Sequence, residues 1–526
     1  MVKGLSWFNN HNAMRKLLTS IFTFLLFFTA GAQSTSYQKT KTTAYFDTYI
    51  QNAMTLWKTP GLSVVVVKNN NVIFKKAYGV KDIQTKDAFT TSTLSVCAST
   101  TKAMTAVCMG MLVDAGKIKW TDKVSDVYPE LKLYDNYASN EITVKDLFTH
   151  NTGLGNADML WVFDYSIDTI IHQMRYIQPA YSFRSSFTYQ NLMYMVAGEV
   201  IHKVSGQPWE QFIKDSLFNR LGMTNTFPNY KQSLVSNNHI TTHFMYEDSV
   251  VETIPFIDSK TVDAAGGVWS CSNDMEKWIK FLLDSATVNG KHLLKRETYK
   301  ELFKPQSIVT ADEFYPTASL TKPHWTTYGL GWFQEDYKGK MIQFHTGSLD
   351  GAVAILGLIP DEDFGVYIFA NMDHTEIRHA IMYKAMDLFV FNDDTNDWSK
   401  DFYKLYTDRA ARRKKEEADN NAKRILNSKP SLELKEYTGN YSNEIYGNAE
   451  IITQGDSLLL KLPNDFKVDL SHWNYDTFSA KYERKWYGKD FLQFTLNEEG
   501  AVKDFSFMGM TYTKKKKGEL SVVNGE

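Results

Sequence analysis

The sequence predicts an α+β fold in its first three-quarters and a separate small all-β unit at its end. Three observations carry this reading. β-rich runs occur near residue 61 and again between 341 and 369, with helical patterns between them. A charge-rich stretch from Asp401 to Leu426 then interrupts the apolar patterning. Beyond Pro430 the chain turns to short β-rich runs separated by Gly turns. Strands at both ends of a region with helices between them fit one sheet covered by helices. At 526 residues the chain has room for more than one domain.

The first element is an address. Leu17 to Ala30 is apolar, follows Arg15 and Lys16, and precedes the small residues Gly31 and Ala32. This order reads as a secretory signal peptide cleaved after Ala32, and the run is shorter than the ~20 residues a membrane span needs. Met14 directly precedes the basic pair, which leaves room for an upstream extension from Met1 to Ala13. The expectation is an exported protein, periplasmic or secreted, with no membrane span after cleavage.

Next, Gly61 to Lys68 and Val72 to Gly79 flank Asn69-Asn70-Asn71 and predict a hairpin. Ala98 to Leu112 predicts a helix stopped at Gly116. Asn273 to Leu283 predicts another, with Ser272 as N-cap and Asp274 and Glu276 in its first turn. Strands are predicted at Met341–Phe344, Val353–Ile359 and Val366–Phe369. The block Arg412-Arg413-Lys414-Lys415-Glu416-Glu417 reads as a solvated linker helix rather than a basic partner site. Further strands fall at Ala449–Ile452, Leu458–Leu462, Phe491–Leu496 and Ala501–Met508, as in a small meander or barrel. Lys514 to Lys517 reads as a charged tail. The divisions are therefore 1–33 for the signal, 34–395 for the main domain, 396–430 for the linker helix and 431–526 for the barrel.

Lys+Arg is 58 and Asp+Glu is 60, a net charge of -2. That balance gives no footprint for nucleic acid and no acidic disordered character. Three cysteines are too few for a disulfide scaffold in a chain this long. About three helical turns would separate Cys97 from Cys108, beyond disulfide reach; Cys271 is free to meet either.

Candidate chemistry begins at Ser99-Thr100-Thr101-Lys102, at the opening of the first long helix. Residues three apart share a helix face, so Lys102 can reach the Ser99 hydroxyl. A serine is a weak nucleophile until a base takes its proton, and a lysine in a semi-buried cleft can have its pKa lowered enough to do so. Ser36–Lys39 and Ser319–Lys322 share the spacing, but the first lies in the N-terminal tail and the second runs into Pro323. Tyr189-Gln190-Asn191 offers a phenol and an amide for proton handling, a triplet that also occurs at Tyr134, Tyr441 and Tyr446. His345-Thr346-Gly347-Ser348 follows a strand, where Gly347 admits substrate to the backbone and Ser348 N–H offers an oxyanion donor beside Ser99 N–H.

Taken in order, these three motifs resemble the penicillin-recognising serine hydrolases: class C β-lactamases, DD-carboxypeptidases, D-aminopeptidases and related esterases. Ile142 to Leu154, Ala265 to Ser270 and Tyr328 to Trp332 look like that family's flanking segments, and the resemblance covers residues 40 to 395. It implies a β-lactamase/transpeptidase-like domain in which Ser99 is acylated, Lys102 and Tyr189 share base and acid duties, and Asn191 holds the substrate amide. His345 and Thr346 would face the far end of the substrate, and the His150 loop would be structural. Two departures stand out. His345 occupies a position that is often Lys in β-lactamases, so its charge would be weaker and pH-dependent; and the Pro-Gly that often precedes the Tyr motif is absent. At the C-terminus, Tyr437 to Tyr441 and His472 to Phe478 resemble a lipocalin-like accessory domain.

The resulting expectation is a serine hydrolase acting through an acyl-enzyme on D-amino-acid peptides, cell-wall fragments or small esters, needing no metal or organic cofactor. The alternatives are a class C-like β-lactamase and an inactive binding protein that holds cell-wall peptide. Turnover of cephalosporins separates the first, and failure to hydrolyse an activated ester the second. Oligomeric state is not readable from the residues.

Overall fold

The computed structural model describes residues 41–246, 250–258 and 260–516; the signal region lies outside them. A helix over 41–57 (α1) leads into a hairpin, β1 (Gly61–Lys68) and β2 (Asn71–Gly79). The helical region that follows includes α2 (Thr101–Asp114), α3 (Leu192–Ser205) and α4 (Ser272–Leu283). Six strands complete the main sheet: β3 (Ser307–Ile308), β4 (Thr326–Tyr328), β5 (Phe333–Tyr337), β6 (Lys340–Leu349), β7 (Ala352–Ile359) and β8 (Phe364–Ala370). Two more helices, α5 (Ile377–Met386) and α6 (Trp398–Ala422), end this part. The sheet order is β2-β1-β8-β7-β6-β5-β4-β3, so the N-terminal hairpin joins the late strands through the antiparallel β1–β8 pair. The fold is α+β, as the sequence predicts.

The unbroken apolar runs in β1, β7 and β8 follow from helices on both faces of the sheet. Val64, Val66, Ile355 and Ile368 pack with Phe46 of α1, Ile381 of α5 and Trp398 of α6. The alternate residues Val65, Val67, Leu356 and Phe369 pack with Met104 of α2, Val196 of α3 and Trp278 of α4. This period of two is what a strand imposes, and each buried aliphatic contributes roughly 1.5–3 kcal/mol.

Three helix starts differ from the sequence reading, each for a local reason. Ala98–Thr100 is a 3-10 turn, and the α-helix begins only at Thr101. Helix α4 starts at Ser272, whose hydroxyl donates to Ser63 Oγ of β1 at 2.7 Å instead of capping. Helix α6 starts at Trp398, because Asp397 caps it and Trp398 and Phe402 pack on Tyr383.

The C-terminal unit is a closed eight-stranded antiparallel barrel of β9 (Gly439–Asn443), β10 (Gly447–Gln454), β11 (Ser457–Leu462), β12 (Phe466–Asn474), β13 (Thr477–Tyr482), β14 (Lys489–Leu496), β15 (Val502–Phe507) and β16 (Met510–Lys514). Leu458, Leu460 and Leu462 alternate inward and meet Tyr441, Phe478, Phe494 and Phe505, so the interior is filled with side chains. Lys514, read from sequence as tail, instead sits in the closing strand opposite Tyr441.

Besides the ion pair of Lys489 with Glu417 of α6, the barrel docks on the main domain at two places. Phe163 meets Tyr446 and Phe466 edge-on, and Tyr165 OH donates to Tyr446 O at 3.0 Å. At the other place, Trp486 Nε1 donates to Asp350 Oδ2 at 2.6 Å, in the turn between β6 and β7. Cys97, Cys108 and Cys271 are all buried and free. Among the described residues no helix is long and apolar enough to cross a membrane, and no cluster of His, Cys, Asp or Glu could hold a metal ion.

Candidate active site

The site lies where the turn before α2 meets β6. Ala98 adopts φ 45°, a conformation that L side chains rarely hold, and so lifts Ser99 out of the strand-to-helix line. Strand β6 passes directly beneath, at Gly347. A Cβ there would stand 2.2 Å from Cys97 O and 3.1 Å from Ser99 N, so only glycine permits this crossing. Gly331 does the same for the segment before β5, where a Cβ would stand 2.8 Å from Ala103 N. Gly347→Ala is expected to destabilise the fold by roughly 1–3 kcal/mol and to slow acylation. Urea denaturation and the pre-steady-state burst check both.

Lys102 is buried one helical turn from Ser99. Its Nζ lies 3.2 Å from Ser99 Oγ, 2.6 Å from Asn191 Oδ1 and 3.0 Å from Ala265 O. The Tyr189 and Tyr194 rings lie 5.0 and 5.1 Å away. Burial lowers the Lys102 pKa from 10.5 to about 7, against a smaller opposing pull from the Asp158 carboxylate. Burial pushes Tyr189 well above the usual phenol value, only partly offset by its hydrogen bond with Ser99. Tyr189 is therefore protonated at neutral pH, whereas Lys102 is divided between its two forms.

Asn191 stands at the start of α3, where an Asn side chain usually caps the helix. Here it makes no cap. Its Oδ1 accepts from Lys102, and its Nδ2 donates to Asp158 Oδ2 at 2.9 Å. Both ends of the amide are engaged, so the donor that the resemblance assigns to substrate is held by Asp158. The other Asp158 oxygen, Oδ1, is buried without a hydrogen-bond partner.

His345 corrects the sequence reading. Its side chain is fully buried, with Nδ1 donating to Thr346 O at 2.6 Å and Nε2 accepting from Tyr328 OH at 2.9 Å. Burial, reinforced by the nearby Lys102 charge, lowers its pKa to about 3. It offers no positive charge to a substrate carboxylate between pH 5.5 and 8. Thr346 Oγ1 lies 2.5 Å from Tyr315 OH. Strand β5 pairs with β6 only as far as Phe344, so residues 345–349 have a strand neighbour on the β7 side alone.

Sequence reasoning placed Ser99, Lys102, Tyr189, Asn191 and the Gly347–Ser348 segment in one region, and the fold brings them together. It did not single out Asp158, Tyr315, Glu376 or Arg378. Arg378 could have been noticed as a lone cation in the apolar opening of Ile377–Met386; nothing in the sequence marks Asp158. His150, read as structural, packs its ring 4.5 Å from that of Tyr189.

Such a sheet and helical layer, joined at a serine backed by a buried lysine, define a serine hydrolase. The chain belongs to the beta-lactamase family, whose model, described as Beta-lactamase, matches residues 46–390. A second model, described as a domain of unknown function (DUF3471), matches residues 423–518. Among curated relatives, an unguisins hydrolase (ungD') of Aspergillus campestris is 27% identical over 438 residues, covering 79% of this chain and 78% of that one. Among solved structures, the octameric penicillin-binding protein homologue from Pyrococcus abyssi aligns with a TM-score of 0.58 at 19% identity, over 90% of this chain and 99% of that one. SurE, solved with D-Leu, aligns with a TM-score of 0.53 at 16% identity, over 91% of this chain and all of that one. Both likenesses show the shared fold.

Proposed function

We propose that the protein is an exported hydrolase that cleaves amide or ester bonds through an acyl-enzyme on Ser99. One observation carries this reading: the partners around Lys102 Nζ. Asn191 Oδ1 and Ala265 O can only accept hydrogen bonds, whereas the Ser99 hydroxyl can donate. A neutral amine places its two N–H bonds on the two acceptors and turns its lone pair to Ser99. Lys102 then takes the serine proton as Ser99 Oγ attacks the carbonyl carbon. The developing oxyanion lies between the Ser99 and Ser348 N–H groups. Tyr189, a neutral phenol, donates its proton to the leaving group and regains one from the Lys102 ammonium beside its ring, which returns Lys102 to the neutral amine. Water enters by the reverse relay and releases the acid.

The substrate side is read from charge. The neutral His345 supplies no cation for a carboxylate, and Arg378 is paired with Glu376. The Asp158 carboxylate bonded to Asn191 instead favours an N–H or ammonium group on the acyl half. Peptides and amides of D-amino acids with a free amine fit this better than β-lactams. A solved neighbour, SurE with D-Leu, and a curated relative named an unguisins hydrolase support the same direction. The barrel, similar to lipocalin-like accessory domains, is read as a packing domain with an interior of buried apolar side chains.

The test is intact mass after mixing with a penicillin, followed by a panel of D- and L-amino-acid amides, free and N-acetylated. No lasting penicillin adduct, with turnover of free-amine D-amides above their acetylated forms, is expected. A stable adduct or rapid penicillin hydrolysis would return the protein to the DD-peptidase or β-lactamase branch.

A further inference from the structure

We propose that Arg378 is a positioning residue for the oxyanion hole, acting through the Gly347–Ser348 peptide. This rests on the reading of Ser99 as nucleophile and of the Ser99 and Ser348 N–H groups as oxyanion donors. Arg378 stands near the start of α5 and is only 3% exposed. Its Nη1 donates to Gly347 O at 2.6 Å and to Ser348 Oγ at 2.7 Å. The Gly347–Ser348 peptide is trans, so its C=O and N–H point in opposite directions. A clamp on the carbonyl therefore fixes the direction of the Ser348 N–H on the other side.

This segment needs such a clamp. Residues 345–349 lack a neighbouring strand on the β5 side, and Gly347 has no side chain to hold its own orientation. A cation on the carbonyl also polarises the amide, which strengthens its N–H as a donor. The guanidinium is itself held. Its Nη2 and Nε donate to the two Glu376 oxygens at 3.0 and 3.3 Å, and His379 Nδ1 lies 2.5 Å from Glu376 Oε2. Glu376 and His379 are buried. An apolar side chain of similar volume would fill this space but leave the Gly347 carbonyl unheld. Removing Arg378 alone leaves the buried Glu376 carboxylate with His379 as its remaining partner, a destabilising change.

The test compares a phenyl ester with its thionoester in the full chain, per active site titrated to completion with a fluorophosphonate. Sulfur accepts hydrogen bonds poorly, so the ester/thionoester ratio of kcat/KM reports the oxyanion donors. Arg378→Met is expected to lower ester kcat/KM by about 10- to 100-fold, with a much smaller fall for the thionoester, so that the ratio collapses. Arg378→Lys keeps a cation but cannot hold Gly347 O and both Glu376 oxygens, and its ratio should fall between the two; it decides the matter if Arg378→Met does not fold. An unchanged ratio, or equal losses on both substrates, overturns the proposal. Ester turnover that is absent in the wild type, or survives Ser99→Ala, overturns the nucleophile reading instead.

Discussion

Ser99→Ala abolishes covalent labelling and lowers ester kcat/KM by about 10⁴-fold or more, while thermal unfolding stays within about 0.5 kcal/mol of wild type. The large loss follows from the geometry: neither the neighbouring Thr100 Oγ1 nor the Tyr189 phenol is free to act as nucleophile. Thr100 Oγ1 donates to Cys97 O at 2.9 Å and lies 2.6 Å from Tyr367 OH. Tyr189 is held protonated by burial. The small stability change follows from position: Ser99 is partly exposed in a 3-10 turn, and Oγ removal leaves Lys102 with two of its partners. Intact mass with a fluorophosphonate reads the first outcome and differential scanning calorimetry the second. Labelling that persists in Ser99→Ala would show another nucleophile.

Lys102→Met is the second large effect, and it separates activity from stability. Acylation should fall by about 10³-fold or more, since general-base assistance alone is worth 10²–10⁴. In the wild type, log kcat/KM rises with pH up to about 7 and then levels, because the working form is the neutral amine. Stability carries the same signature. Lys102 has a folded pKa of about 7 against 10.5 when free, so between those values the unfolded chain binds the extra proton. Unfolding free energy therefore rises with pH across that window and is lowered below it. The Met variant lacks this slope, and urea titrations of both proteins at pH 6 and pH 9 measure the difference. A wild-type slope no steeper than that of the variant would mean that Lys102 stays charged in the fold.

Much of this molecule is legible in sequence where chemistry and periodicity coincide. Ser99 and Lys102 stood out because their spacing fell after a hairpin and inside an unbroken apolar helix. β1, β7 and β8 stood out as continuous Val and Ile runs, which a sheet covered on both faces produces. What stayed hidden depends on contacts between distant segments. The burial that neutralises His345 comes from packing with Tyr328 and Phe333 in other strands. Asp158 meets Asn191 only once a loop and a helix start are brought together. The strained Ala98 is dictated by Gly347, far along the chain. A local window carries none of these, which is why a lowered Lys102 pKa is legible in the sequence and a neutral, buried His345 is not.

The place of β1 in the sheet has a consequence for how the chain acquires its structure in time. β1 is an interior strand whose partners are β2, its immediate neighbour, and β8, which ends at Ala370. Until that residue has been synthesised, one whole edge of β1 has no native partner, and only the helices that precede β8 can cover its two apolar faces. Contacts of such long sequence separation are slow to close. The main domain thus remains incomplete through most of synthesis, a state in which a chain can still be threaded through a narrow channel before it commits to its fold.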